Sequence, residues 1–144
     1  MYTMVRLVSL LLSIGLFVCP EFLPAQTLLL FGGKNHETFL GCLNCSKYDS
    51  GSIWNKYGEY GSKYSDKSIW NKYGTFGSKY NSYSPWNKYS NDPPIIVDKD
   101  GNNYGYFTAN KYFHNRTKDK SLVYILDNYE EVIERLDKIR DDMK

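Results

Sequence analysis

The chain has 144 residues, 42% hydrophobic and 24% charged, with a formal net charge of +2. That composition excludes wholesale disorder, which needs few apolar residues and a large net charge, and its near-neutral balance argues against a strongly basic nucleic-acid binder. Aromatic residues reach 17% and include 14 Tyr, so the rings must either build a core or form a platform.

Residues 1–26 read as a secretory signal peptide. Arg6 supplies the positive n-region, Leu7 to Val18 the apolar run, and Pro20, Pro24 and Ala25-Gln26 the region of cleavage. The apolar run is shorter than the ~20 residues a membrane-spanning helix needs. A lipid anchor on Cys19 is disfavoured, because Val18 stands where such a site wants a small residue. Residues 27–144 are then expected to form one exported domain with no transmembrane span.

Residues 27–45 read as a β-hairpin, with Gly32-Gly33-Lys34-Asn35 as its turn between apolar runs. Its second strand runs into Cys42-Leu43-Asn44-Cys45. A c-type haem site would need His after the second Cys, and Ser46 stands there. His36 and His114 lie at no recognisable zinc-ligand spacing, so neither metal nor cofactor is expected. Cys42 and Cys45 are left as a local disulfide formed after export or, as the alternative, a thiol-redox pair. The local disulfide is the favoured reading, because no βαβ pattern follows.

Residues 46–92 hold an internal repeat. Ser52-Ile53-Trp54-Asn55-Lys56-Tyr57-Gly58 recurs at Ser68 to Gly74, and again from Ser84 as Ser-Pro-Trp-Asn-Lys-Tyr-Ser, a period of 16 residues. Between copies, Tyr60-Gly61-Ser62-Lys63-Tyr64 matches Phe76-Gly77-Ser78-Lys79-Tyr80. Ser before Ile, Ile and then Pro85 predicts a capped helical turn in each copy, closed by a left-handed Gly58 or Gly74. Aliphatic residues are nearly absent here, so stacked repeats must bury rings. Trp54, Trp70 and Trp86 are expected to anchor that core. Alternatively they form, with Tyr57, Tyr73 and Tyr89 beside Lys56, Lys72 and Lys88, a face that contacts a ligand.

Residues 93–112 read as a second hairpin around Asp98-Lys99-Asp100-Gly101-Asn102. This turn lacks the Gly and Glu that a calcium loop requires at its sixth and twelfth positions. Gly41 to Tyr48 aligns with Gly105 to Tyr112 at an offset of 64, four repeat periods, and Tyr106 and Ala109 replace the two cysteines. Residues 119–143 are predicted as an amphipathic helix, its apolar face formed by Leu122, Ile125, Tyr129, Val132, Leu136, Ile139 and Met143. A break at Asp127-Asn128, with a strand before it, is the alternative. No nucleophile motif, phosphate loop or metalloprotease signature is present.

The repeats and their Gly-centred hairpins, over residues 28–112, resemble a group of uncharacterised exported bacterial proteins. Those proteins carry tandem Asn-x-Tyr-Gly-x-Tyr-Gly-Ser-x-Tyr repeats after a signal peptide. The resemblance implies export and a shared repeat fold, and no activity. The expected fold class is α+β: two hairpins forming a small antiparallel sheet, an irregular aromatic segment with single helical turns, and a C-terminal helix. The expected function is a non-enzymatic binding or structural module of the envelope or secretome. Its partner would be an envelope polysaccharide or another exported protein, and no nucleic acid is expected.

Overall fold

The computed structural model describes residues 25–144. The expected signal segment and Cys19 thus fall almost wholly outside the described residues. Strands β1 (Leu29–Gly32), β2 (Thr38–Cys42), β3 (Ile95–Val97) and β4 (Asn103–Tyr106) form one antiparallel sheet in the order β2-β1-β3-β4. Both hairpins lie where the turn residues place them. They join through their first strands, with Leu29 opposite Val97 and Phe31 opposite Ile95. Leu30, Leu40 and Ile96 are fully buried there, so the sheet contributes the aliphatic part of the core.

The segment between the hairpins is regular. Backbone N–H groups bond three residues back at Asp49, Ser52, Asn55, Gly58 and Gly61, and again through the following copies to Ser90. A four-residue step, Ser62 to Gly58 and Ser78 to Gly74, completes each period. One coil is therefore a closed circuit of β-turns, with a small or polar residue at every corner. Those corner residues also cap: Ser52, Ser68 and Ser84 Oγ accept from the N–H of Trp54, Trp70 and Trp86 at 3.0–3.1 Å. Asn55, Asn71 and Asn87 Oδ1 accept likewise from Tyr57, Tyr73 and Tyr89 at 2.9–3.1 Å. Asx and Ser turns of this kind divert the backbone from α-helix. The expected capped helical turn is accordingly a β-turn.

The expected left-handed cap is also absent. Gly58 and Gly74 are not among the positive-φ glycines of the described residues. Glycine is required elsewhere in the copy, at Gly61 and Gly77, where a Cβ would sit 1.9 Å from the carbonyl oxygens of Asn55 and Asn71. Backbone packs on backbone inside each coil there.

Successive coils stack through their indoles. Trp54 Nε1 donates to the Leu43 carbonyl, Trp70 Nε1 to Ile53 and Trp86 Nε1 to Ile69, at 2.8, 2.7 and 2.5 Å. The ring centroids lie 5.5 and 5.4 Å apart. All three tryptophans are buried. The ladder ends on Phe107 and on Tyr129, whose ring stacks 4.4 Å from Trp86.

The alignment at an offset of 64 is a structural correspondence. Cys42 pairs with Ser52 in an isolated parallel bridge, and Tyr106 pairs with Arg116 in the same way. Gly41 and Gly105 both have positive φ, +115° and +94°. Residues 105–117 are thus a further coil, added from the second hairpin, and they close the far end of the stack. A repeat array needs such ends to shield its terminal faces.

The C-terminal region is helical, so the alternative strand before Asp127-Asn128 is not formed, and the single expected helix is three: α1 (Lys120–Asp127), α2 (Tyr129–Glu134) and α3 (Leu136–Asp142). Asn128 and Arg135 leave helical geometry at the joints, while hydrogen bonds such as Val132 N–H to the Asn128 carbonyl carry across. The Asn128 amide donates to the Tyr124 carbonyl at 2.8 Å, a back-bond of the kind that bends helices. The bends keep Leu122, Leu126, Tyr129, Val132, Ile133 and Leu136 on the ring core.

Ion pairs span the same contact. Asp137 lies 3.4 Å from Lys63 and 4.0 Å from Lys56, Glu130 lies 3.4 Å from Lys79, and Asp127 lies 2.6 Å from Arg116. Arg140 is buried, donates through Nη2 to the Gly61 carbonyl, and has Nη1 3.5 Å from Asp137. Burial pulls the Arg140 pKa below its usual value, and the neighbouring Asp137 opposes that fall. Partial burial disfavours ionisation of Asp137, yet Lys63, Lys56 and Arg140 outweigh it and hold its pKa low.

The second hairpin's turn is organised by Asp98. Its carboxylate accepts from the Asn102 side chain, the Tyr104 hydroxyl and the N–H groups of Asp100 and Asn102, all at 2.9 Å. The Asn102 amide leads these donors in holding the Asp98 pKa below the ordinary range, against the pull of burial. A carboxyl depressed on folding contributes stability above its unfolded pKa of ~3.9, and that contribution is lost as pH falls through the folded value. The urea midpoint is therefore expected to hold steady above about pH 5 and to fall below about pH 4. An Asp98→Asn variant should begin lower at pH 7 and lose less on acidification; equal acid limbs for the two proteins would refute the assignment.

Candidate binding face

Seven tyrosines are preceded by lysine: Tyr48, Tyr57, Tyr64, Tyr73, Tyr80, Tyr89 and Tyr112. All seven are 79–98% exposed. Each occupies the outer pair of a β-turn, so the corner caps that close the coil also push Lys and Tyr into solvent. In the Ser-Ile-Trp-Asn turns the same two positions point inward, and Ile53, Ile69 and Pro85 are buried with the tryptophans. Equal turns with opposite faces separate a ring core from a ring surface.

The sequence-predicted contact residues divide along that line. Trp54, Trp70 and Trp86 take the core alternative, with their N–H groups used between coils. Tyr57, Tyr73 and Tyr89 are exposed, and they are joined by Tyr48, Tyr64, Tyr80 and Tyr112. The recurring Lys-Tyr dipeptide marks these four in the sequence.

Five of the seven rings line four adjoining clefts beside the C-terminal helices. Tyr64 and Tyr73 share one, Tyr73 and Tyr80 the next, Tyr80 and Tyr89 a third, and Tyr89 and Tyr112 the last. The cleft between Tyr80 and Tyr89 encloses 680 Å³, and Trp86, Tyr129 and Glu130 contribute to its walls. Burial, followed by the Glu130 charge, pushes the Tyr129 hydroxyl up to about 12. Tyr129 therefore stays neutral and serves as a wall and as a cap on the indole ladder. In three of the pairs the lysine ammonium lies 5.5–5.9 Å from its neighbouring ring.

Cys42 and Cys45 are joined in a disulfide where β2 enters the first coil. Cys42 is 2% exposed, and Cys45 is partly exposed. The equivalent positions Tyr106 and Ala109 serve the same bend without sulfur. His36 and His114 both pack edge-on against Tyr106, at 5.8 and 5.5 Å, and His36 Nε2 also meets the Pro93 carbonyl at 2.9 Å. Among the described residues no group of three or more metal-ligating side chains gathers, and no helix is long and apolar enough to cross a membrane. Comparison with protein-family models, curated proteins and solved structures found no match.

Proposed function

We propose that the protein is an exported, non-enzymatic binding module whose Lys-Tyr corners hold a polysaccharide along the stacked coils. The observation that carries this reading is the exposure of all seven Lys-Tyr rings, five of which frame adjoining clefts. Tyrosine presents a rigid apolar face with a polar tip, and such faces stack on the C–H surfaces of sugar rings at little entropic cost. Equivalent corners repeat at the coil rise, so an extended polymer would meet the same pair at each coil. Another exported protein is the other partner a tyrosine-rich surface suits.

Affinity electrophoresis of the full chain in gels containing soluble polysaccharides tests the proposal. Replacing Tyr73 and Tyr89 together by Ala is expected to weaken retardation about tenfold, since each stacked ring contributes ~0.5–1.5 kcal/mol. The far-UV circular dichroism should stay unchanged, because both side chains are exposed. Wild type that migrates freely in every such gel would overturn the reading.

A further inference from the structure

We infer that the polymer taken by the tyrosine clefts is acidic, its anionic groups meeting the ammonium groups of Lys72, Lys88 and Lys111. The inference rests on the polysaccharide reading above and names its ligand class. Every carboxylate lining the four clefts already has a cationic neighbour. Asp127 is held by Arg116 at 2.6 Å, Glu130 by Lys79 at 3.4 Å, and Glu131 by Arg135 at 3.3 Å. Lys63 is in turn held by Asp137 at 3.4 Å. Lys72, Lys88 and Lys111 have no ion-pair partner among the described residues, and each is exposed beside its tyrosine. The clefts therefore carry uncompensated positive charge on successive coils, with the acids at their back neutralised.

The fold itself does not ask for these lysines. The corresponding first position of other turns in the same coils holds Glu59, Thr75, Asp66 or Ile69. The rings that follow Glu59 and Thr75, Tyr60 and Phe76, are not exposed. Lysine accompanies the ring only where the ring faces solvent, so the pair belongs to the surface and not to the turn. A neutral glycan would be served by the rings alone; a lysine set beside each of them adds a site for one negative charge per coil.

Polygalacturonate and its methyl ester share a backbone and differ in charge, so they separate the two parts of the argument. The full chain is expected to bind polygalacturonate about tenfold more tightly than the ester at low salt, as three modest exposed charge contacts would give. That preference should vanish in 0.5 M NaCl, where screening shortens to a few ångströms, and in a Lys72→Gln/Lys88→Gln/Lys111→Gln variant. Equal binding of both polymers would remove the acidic inference and leave the polysaccharide reading standing. Binding of neither, by a chain with native circular dichroism, would overturn both. Tighter binding of single-stranded oligothymidylate than of polygalacturonate would also overturn the inference, because a basic aromatic groove is suited to that ligand too.

Discussion

Trp70→Ala is expected to cost about 4 kcal/mol of folding stability, the upper range for truncating a buried aromatic residue. Trp70 is 1% exposed and sits between Trp54 and Trp86 with centroids 5.5 and 5.4 Å away. Truncation removes both stacking contacts and opens a cavity in the middle of the array, where neighbouring coils cannot close without shifting their backbone ladder. It also leaves the Ile53 carbonyl without its donor at 2.7 Å. Against a total of ~5–15 kcal/mol for a domain of this kind, the loss takes a large share. Trp70→Phe keeps one aromatic ring but loses the N–H and part of the indole volume, so about 1–3 kcal/mol is expected. Urea denaturation followed by circular dichroism checks both, since fluorescence would change with the indole itself. A Trp70→Ala midpoint within experimental error of wild type would refute the indole ladder as the core of the repeats.

Gly77→Ala is expected to be comparably severe, at about 3 kcal/mol or more, because the new methyl runs into the Asn71 backbone. The Asn71 oxygen, carbon and nitrogen would lie 1.9, 2.5 and 2.8 Å from it. No side-chain rotation relieves that contact, so the coil must open. Gly74→Ala makes the instructive comparison. Its Cβ would approach only the Asn71 side chain, from 3.1 Å outward, and a loss below about 1 kcal/mol is expected. A left-handed cap at Gly74 would reverse this order, since alanine is costly at positive φ. Thermal or urea unfolding of the two single variants decides between close approach and capping.

The contrast between those two glycines shows how far local rules reach. Both stand in the same motif, and local pattern favours the first, after a short capped turn, as the special one. The requirement falls on the second because the coil folds its own backbone across that point, a contact six residues back along a closed circuit. The helix predicted over 119–143 shows the same limit. Its apolar face was readable in part from spacing, and the joint at Asn128 falls at the alternative break. The bend at Arg135 and the burial of Leu126 and Ile133 were not readable, since they follow the curvature of the surface on which the helices lie.

The candidate binding face was partly legible. The lysines and tyrosines at 56–57, 72–73 and 88–89 stand out from the repeat, and the remaining Lys-Tyr pairs could be counted without coordinates. Which rings turn outward could not be read from composition, because Trp and Tyr at successive turns look equally aromatic. The turn circuit decides it: the turn carrying Trp in each coil faces the core, and the Lys-Tyr turns face solvent. The clefts depend further on the C-terminal helices, whose Asp127, Glu130 and Asp137 reach residues 11–81 positions away.

By itself the sequence determined the period of 16, the shortage of aliphatic residues within it, the two hairpins and the amphipathic end, because these depend on residue type and spacing along the chain. Only the tertiary structure decided that the hairpins join through β1 and β3 and that the offset of 64 is a real added coil. It also decided that the aromatic excess divides into a buried indole ladder and an exposed tyrosine array. That division is a matter of which way each turn faces once coils stack, and stacking is set by contacts between residues one full coil apart.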